Sequence, residues 1–240
     1  MDTGGRLGPA GALNLRVIRG AQKIGWGWRL RNAARWGFIK GWIAAHIIAP
    51  FANWWGVCTV MGELAIKVRR VDDDARAVYR KMCERGAHLD EIERYLEAHG
   101  TWVDYGTVGY RVITDAGVAF LVDDWDNDAV DITNLHFHGI GTGSTAEAAG
   151  DTALVTESTT ALNPDSTRAT GTESQPAANQ LRTVGTLTAD AQIIAREHGI
   201  FSQAATGGGT LWDRTVYATI TLESADSLQA TYTATYSSGG

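Results

Sequence analysis

The feature that most restricts the fold is a series of segments in the second half of the chain that alternate apolar and polar residues. In one of them Val216, Ala218 and Ile220 lie on one face, and threonines lie on the other. A period of two is typical of β-strands, and no helical crossover separates the last three segments. This pattern predicts an antiparallel β-sandwich resembling a jelly roll. The segments are 131–139, 181–194, 211–222 and 228–236.

The middle of the chain adds helices to this β-rich body. Residues 57–71 and 102–113 alternate as strands do. Between them, 72–99 has apolar residues at helical spacing and begins with three aspartates, which stabilise a helix N-terminus. We expect a helical hairpin over 73–85 and 89–99, inserted between two paired strands. The predicted fold class is α+β.

Two further helical segments are predicted from capping residues. One follows Thr114, which can cap it, and runs to about Asn127. The other is a single turn at 144–147, where Ser144 and Glu147 have the spacing of a capping box.

Charge and tryptophan are unevenly distributed along the chain. Residues 1–56 hold eight Lys or Arg against one acid, whereas 101–240 hold five arginines and seventeen acids. Six of the nine tryptophans also lie in 1–56. We therefore divide the chain into a basic, aromatic, helical arm, 1–56, and a β-rich body, 57–240, that contains the 72–99 insertion. Short helices interrupted by glycine are marginal alone, so we expect the arm to become ordered on docking.

The arm has the composition of a binding surface, because arginine and tryptophan together give rigid contact area and cation–π geometry. Its positive charge predicts an acidic or anionic partner: a protein, anionic lipid or nucleic acid. The high apolar content of the arm favours a protein. The residues predicted to bind the partner are Trp26, Trp28, Arg29, Arg31, Arg35, Trp36, Trp42, Trp54 and Trp55.

One part of the arm leaves a membrane role open. Residues 41–62 contain no formal charge over 22 positions, which is long enough to span a bilayer. Against this, His46, Pro50 and Asn53 interrupt the segment, and they favour a helix that ends near Pro50 and a strand that begins near 57. A membrane-anchored binding module with 41–62 inserted remains an alternative.

Three patterns have a superficial likeness to metal or phosphate sites. In a strand His136 and His138 would point the same way, but a third metal ligand is missing. The spacing of Gly139, Gly141 and Gly143 is not that of a dinucleotide-binding loop, and no lysine follows Lys81. The acidic run 123–128 lacks the glycine and the final glutamate of a calcium loop.

Nothing in the sequence points to catalysis. Glu197, His198 and Ser202 contain the residue types of a triad but no nucleophile elbow. The two cysteines, Cys58 and Cys83, form neither a disulfide framework nor a zinc motif, which suits a reducing compartment. The sequence predicts no enzyme activity, metal, cofactor or small-molecule substrate.

Four segments resemble small structural proteins of tailed bacteriophages. The resemblance covers roughly 101–240 together with the strand at 57–70, and it implies a virion component with no catalytic residues. A β-rich body of this kind suits a capsid cement or decoration role. The arm and the 72–99 insertion depart from the sequence pattern of these phage proteins. The segments are 103–127 (VDYGTVGYRVITDAGVAFLVDDWDN), 141–154 (GTGSTAEAAGDTAL), 197–214 (EHGIFSQAATGGGTLWDR) and 226–240 (DSLQATYTATYSSGG).

These patterns together predict a non-enzymatic virion protein that is assembled in the host cytoplasm. We expect it to self-associate, most simply as a trimer, and to bind the major capsid protein or other virion proteins across shell seams through the arm. A neck or tail adaptor, or a fibre-mounting protein, is the alternative within the virion.

Overall fold

A computed structural model describes residues 22–111, 113–126 and 130–238 of the chain. Within them the fold is α+β, as the sequence predicts, with two open β-sheets. The segment 1–21 of the predicted arm lies outside the described residues.

The arm contains two consecutive helical stretches. The first is α1, and the second runs without a break from α2 through a π-helical turn at Ala44–Ile48 into α3. The helices of the whole described chain are α1 (Trp26–Ala33), α2 (Trp36–Ile43), α3 (Ala49–Trp54), α4 (Asp73–Glu84), α5 (Leu89–His99) and α6 (Asp115–Asp126), with a 3₁₀ turn at Ile132–Asn134.

The strands form one sheet of seven and one of four. The larger sheet has the order β1-β3-β2-β11-β8-β5, with β7 also paired to β8, and the smaller has the order β10-β9-β4-β6. Only β1 and β3 pair in parallel among the described strands. The strands are β1 (Gln22–Lys23), β2 (Thr59–Arg70), β3 (Thr101–Arg111), β4 (Phe137–Gly141), β5 (Leu162–Asn163), β6 (Ala169–Thr170), β7 (Thr172–Ala177), β8 (Gln180–Ala189), β9 (Ile193–Phe201), β10 (Leu211–Leu222) and β11 (Ser227–Ser237).

The main core takes side chains from both sheets. Leu64 and Ile66 of β2 and Leu228 of β11 come from the larger sheet, and Ile220 and Leu222 of β10 come from the smaller one. All five are buried, and a fully buried aliphatic side chain contributes about 1.5–3 kcal/mol. The alternating pattern therefore correctly identifies the faces that the sheets turn toward each other.

The described part of the arm is packed on its own body. Trp28 is buried, its indole N–H donates to the Thr219 carbonyl at 2.9 Å, and its ring meets Tyr105 edge-on at 4.7 Å. On the next turn of α1, the buried Asn32 bridges the two sheets. Its amide nitrogen donates to the Val108 carbonyl of β3, and its oxygen accepts from the Ala218 N–H of β10, both at 2.9 Å.

Because it is anchored in this way, the described part of the arm belongs to the fold of the body. Side chains of α1 cover backbone groups along β10, which ends its sheet. The expectation that the arm becomes ordered only on docking is therefore wrong for 22–56. Removal of the arm would also expose the edge of β10 rather than leave an undisturbed body.

The helical insertion is confirmed, with α4 and α5 at nearly the predicted bounds. A buried arginine holds it on the larger sheet: Arg69 of β2 donates to Glu93 at 2.8 and 2.9 Å and to Glu97 at 2.8 Å, both on α5. The predicted strand at 57–71 and the helix after Thr114 are confirmed as well. The Thr114 hydroxyl accepts from the Gly117 N–H at 3.0 Å, as a helix cap does.

Two predicted strands have different bounds in the structure. The Asp131 carboxylate accepts from the Thr133 N–H at 2.9 Å, which folds 132–134 into a 3₁₀ turn and delays β4 until Phe137. The predicted strand 181–194 is two strands, because the chain crosses from one sheet to the other between Ala189 and Ile193.

The predicted helical turn at 144–147 is wrong. The Gly143 N–H donates to the Glu197 carboxylate at 2.9 Å, and the Thr145 carbonyl accepts from Arg214 at 3.1 Å. These contacts hold the segment in an irregular loop against the body.

We predict that Asn32→Leu destabilises the chain by about 2–4 kcal/mol, because it leaves the Val108 carbonyl and the Ala218 N–H buried without a partner. Urea denaturation measures the change. Asn179→Leu is the matched control: Asn179 is exposed and bonds only the Tyr236 carbonyl through its side-chain nitrogen, so its loss should cost less than about 1 kcal/mol. Equal losses for the two variants would contradict the bridging role of Asn32.

Candidate functional site

One side of the helical stretch from α2 to α3 carries large side chains that are exposed. It exposes an apolar face that consists of Ile47, Ile48, Phe51, Trp54 and Trp55. Trp54 is 73% exposed and Trp55 is 68% exposed. Large apolar side chains clustered at the surface mark interaction sites, because leaving them in water is unfavourable.

The three rings of this apolar face support one another. The Trp54 and Trp55 centroids are 5.6 Å apart, and Phe51 lies 5.9 Å from Trp54 and 6.2 Å from Trp55. Aromatic side chains that are already grouped lose little conformational freedom when a partner covers them. The cluster is therefore a preformed contact surface.

Small residues hold the other side of this helical stretch on the body. Gly41 and Ala49 are buried, and a Cβ on Gly41 would lie only 2.1 Å from the Tyr110 carbonyl oxygen. Only glycine allows the helix to approach β3 so closely. The side chains of Ile47, Ile48, Phe51, Trp54 and Trp55, on the opposite side of the stretch, remain exposed.

Charge and apolar surface are separated along the arm. All five cations of 22–56 lie between Lys23 and Lys40, and 41–57 carries no formal charge. The first half is thus suited to an acidic partner and the second half to an apolar one.

The residues predicted to bind a partner fall into three groups. Trp26, Arg31, Trp36, Trp42, Trp54 and Trp55 are exposed, and Arg29 and Arg35 are half-buried. Arg29 donates to the carbonyls of Ile24 and Asp104, which stabilises the start of the arm. Trp28 is buried within its own chain, so its ring is not available to another protein in this structure. The sequence pattern does not separate Trp28 from its neighbours, because all have the same local composition.

A cleft of about 440 Å³ separates α2 from the body on one side of the Gly41 contact. It is lined by Lys40, Tyr110, Glu147 and Arg214 among others. The Arg214 guanidinium is already engaged by two carboxylates, so the cleft does not offer it as a free cation.

A polar cluster around Glu197 was not predicted from the sequence. Glu197 is fully buried on β9 and accepts from Arg214 at 2.8 Å and from the N–H groups of Gly143 and Thr156 at 2.9 and 2.8 Å. Arg214 in turn donates to Asp151 at 2.9 Å. With its charge neutralised and its oxygens bonded, this carboxylate pins the 142–156 loop to the sheet rather than serving as a base.

The same cluster explains Gly141 and Gly143 of the glycine pattern, whereas a Cβ on Gly139 would lie 2.9 Å from the Glu157 carboxylate. A Cβ on Gly141 would lie 2.6 Å from the Glu197 carboxylate, and one on Gly143 would lie 2.4 Å from it. The glycines make room for a buried carboxylate of the chain itself. A phosphate is not needed to account for them.

The histidines do not form the arrangement that a strand would give them. His136 precedes β4, and its ring faces the Thr133 carbonyl. His138 is buried and bonds His198 at 3.0 Å and Thr183 at 3.1 Å. No group of three or more potential metal ligands is found among the residues that the structure describes.

Burial keeps this histidine pair uncharged. Desolvation lowers the pKa of His198 to about 3. Desolvation and, second, the neighbouring His198 lower the pKa of His138 well below its ordinary value. Because His138 is on β4 and Thr183 on β8, the pair links the two sheets.

The triad-like residues and the described part of the acidic run are hydrogen-bonded within the chain. His198 bonds His138, and the Ser202 hydroxyl accepts from the Thr210 N–H at 2.8 Å. In the acidic run, Asp124 accepts from the Ile132 N–H at 3.1 Å, which ties the end of α6 to the following turn. Residues 127 and 128 of the run lie outside the described residues.

Comparison of the chain with protein-family models, with curated proteins and with solved structures finds no match. In the described part of the chain, no helix is both long and apolar enough to cross a membrane.

We predict that acid destabilises the fold partly through the histidine pair. Unfolded histidine binds a proton near pH 6.5, whereas folded His198 stays neutral until about pH 3, so the unfolded state holds more protons between these values. The free energy of unfolding therefore falls as the pH drops below 6.5, and His198 alone accounts for about 2 kcal/mol at pH 5.

The measurement is urea denaturation between pH 7 and pH 5. His198→Gln should be less stable at pH 7, yet its stability should fall less steeply with acid, by about 1 kcal/mol per pH unit on average. A wild-type slope in His198→Gln would show that this buried imidazole does not contribute.

Proposed function

We propose that this chain is a non-enzymatic structural subunit of a tailed-phage virion, a capsid cement or decoration protein that binds the shell. The observation that carries the proposal is the apolar face, in which three aromatic and two aliphatic side chains are exposed on a helix fixed to the body. Such a surface has no evident use in an isolated subunit and a direct use at a seam between shell subunits.

The energetics favour this use. Covering a Trp or Ile side chain contributes about 1.5–3 kcal/mol, and this gain is repeated for every copy bound to the shell. Because the helix is already ordered on its body, little conformational entropy is lost when the face is covered. We propose the major capsid protein as the partner and the virion as the location.

The body supports the same proposal. Its two sheets share one core, which is consistent with the jelly-roll-like sandwich predicted from the sequence. Its buried charges, Glu197, Arg214 and Asp226 among them, are all used to bond the chain to itself. A body of this kind suits a structural role better than a catalytic one.

We predict that replacing Trp54 and Trp55 together by serine weakens shell binding at least about 100-fold, because buried tryptophans are frequent hot spots of interfaces. The assay is co-sedimentation of the full-length chain with empty shells of the encoding phage. Both side chains are exposed, so the fold should be kept, and circular dichroism checks this. Deletion of the arm is not a suitable test, since it also uncovers β10.

The matched control is Leu89→Ser with Val155→Ser, which removes two exposed apolar side chains elsewhere on the molecule. It should bind shells like the wild type. Full binding by the Trp54, Trp55 variant would refute the proposal. Binding of the wild type to anionic phospholipid vesicles, without binding to shells, would assign the apolar face to a membrane surface instead.

The number of copies per particle separates the decoration role from a neck or tail adaptor. Gel densitometry of purified particles measures it against the major shell protein. A copy number comparable with that of the shell protein favours decoration, and a few copies per particle favour the neck or tail.

A further inference from the structure

A second surface on the arm is separate from the apolar face. On α1 the side chains of Trp26, Leu30 and Ala33, which follow one another at i, i+4 and i+7, are exposed. Trp26 is 79% exposed and Leu30 is 64% exposed. The opposite side of the helix, with Trp28 and Asn32, holds it on the body. We call the outer side the α1 face.

The same spacing recurs on the outer side of α6. Val118, Val122 and Trp125 are at i, i+4 and i+7, and Trp125 is 86% exposed, the largest value among the exposed apolar side chains described. The inner side of α6 is anchored by the buried Phe120 and by the Thr114 cap. We call the outer side the α6 face.

The two helices have opposite charge. The α1 helix contains two cations, Arg29 and Arg31, and no acid. The α6 helix contains four aspartates and no cation. Three of these aspartates, Asp123, Asp124 and Asp126, lie in its last turns, where the helix dipole disfavours negative charge. A cationic surface placed there would relieve this unfavourable arrangement.

We propose that the α1 face of one copy packs against the α6 face of a second copy. The apolar side chains would cover one another, and the arginines and lysine around α1 would lie near the aspartates of α6. The contact joins different faces, so each copy uses both, and such head-to-tail contacts close into a ring when the rotation allows it. A two-fold dimer forms the contact twice between the same two copies, and a trimer is the next smallest closed assembly.

Both faces are already ordered before this contact forms. Each helix is fixed to its own body by buried side chains, so neither has to become ordered on binding. The apolar face at 47–55 takes no part, so self-association and shell binding use separate surfaces. The proposal is therefore independent of the proposed function.

The test is the oligomeric state of the full chain, measured by sedimentation velocity over a range of concentrations. The wild type should form a species larger than a monomer. Asp123→Lys with Asp126→Lys should shift it to monomer, because like charges then face each other. Lys23→Glu with Arg31→Glu should also shift the oligomer to monomer, because it places negative charge around α1 opposite the aspartates of α6. All four side chains are exposed, so the fold should be kept.

Combination of the four substitutions in one chain should restore association, since the charges are then exchanged rather than lost. Glu84→Lys with Asp165→Lys is the control: it changes the net charge as much as the α6 pair does, at exposed sites outside both faces, and should leave the oligomer intact. Trp125→Ser should weaken association without a change in charge.

Three results would overturn the proposal. They are a monomeric wild type at all concentrations, an oligomer that survives the reversal of Asp123 and Asp126, and monomers for the control as well as for the α6 pair. Shell binding by the Trp54, Trp55 variant is read separately, so failure of one proposal does not imply failure of the other.

Discussion

The structure depends on one amide side chain between two sheet edges. Asn32 donates to a carbonyl of β3 and accepts from an N–H of β10, so it bonds one strand of each sheet. Trp28, one turn earlier, covers a further carbonyl of β10. An uncovered strand edge invites pairing with other chains. By placing α1 there, the arm completes the fold at the point where the smaller sheet ends.

Buried ion pairs fix the parts of the chain that the core does not reach. Glu197 and Arg214 hold the 142–156 loop, Arg69 holds α5, and Asp226 joins Arg70 to the turn before β11. A buried charge is expensive unless it is paired and hydrogen-bonded. Each of these groups meets that condition within the chain, which leaves the exposed helix faces as the surfaces most suited to contact with other molecules.

Much of the architecture follows from local sequence patterns. The alternation of β11 and the apolar spacing of α4 and α5 identify these elements because each buries mainly one face. The sequence predictions are wrong where a polar group fixes the local backbone. Asp131 folds a turn into an expected strand, and Glu197 and Arg214 prevent a helical turn. Those partners are remote in sequence or outside the periodic pattern.

The residues predicted to bind a partner also show what local sequence cannot determine. Composition finds the arm but cannot distinguish Trp28, which is buried, from Trp26, which is exposed, because the difference depends on which side of α1 meets β10. It also misses Ile47, Ile48 and Phe51, which complete the apolar face. The helix after Thr114 is predicted from its cap, but which of its apolar side chains are exposed depends on packing.

The double attachment of Asn32 has a mechanical consequence. A pull on α1 reaches the body through Asn32, and there the load divides between β3 and β10. Because these strands belong to separate sheets, both sheets share the load. The arm is thus fixed to both sheets through a single side chain.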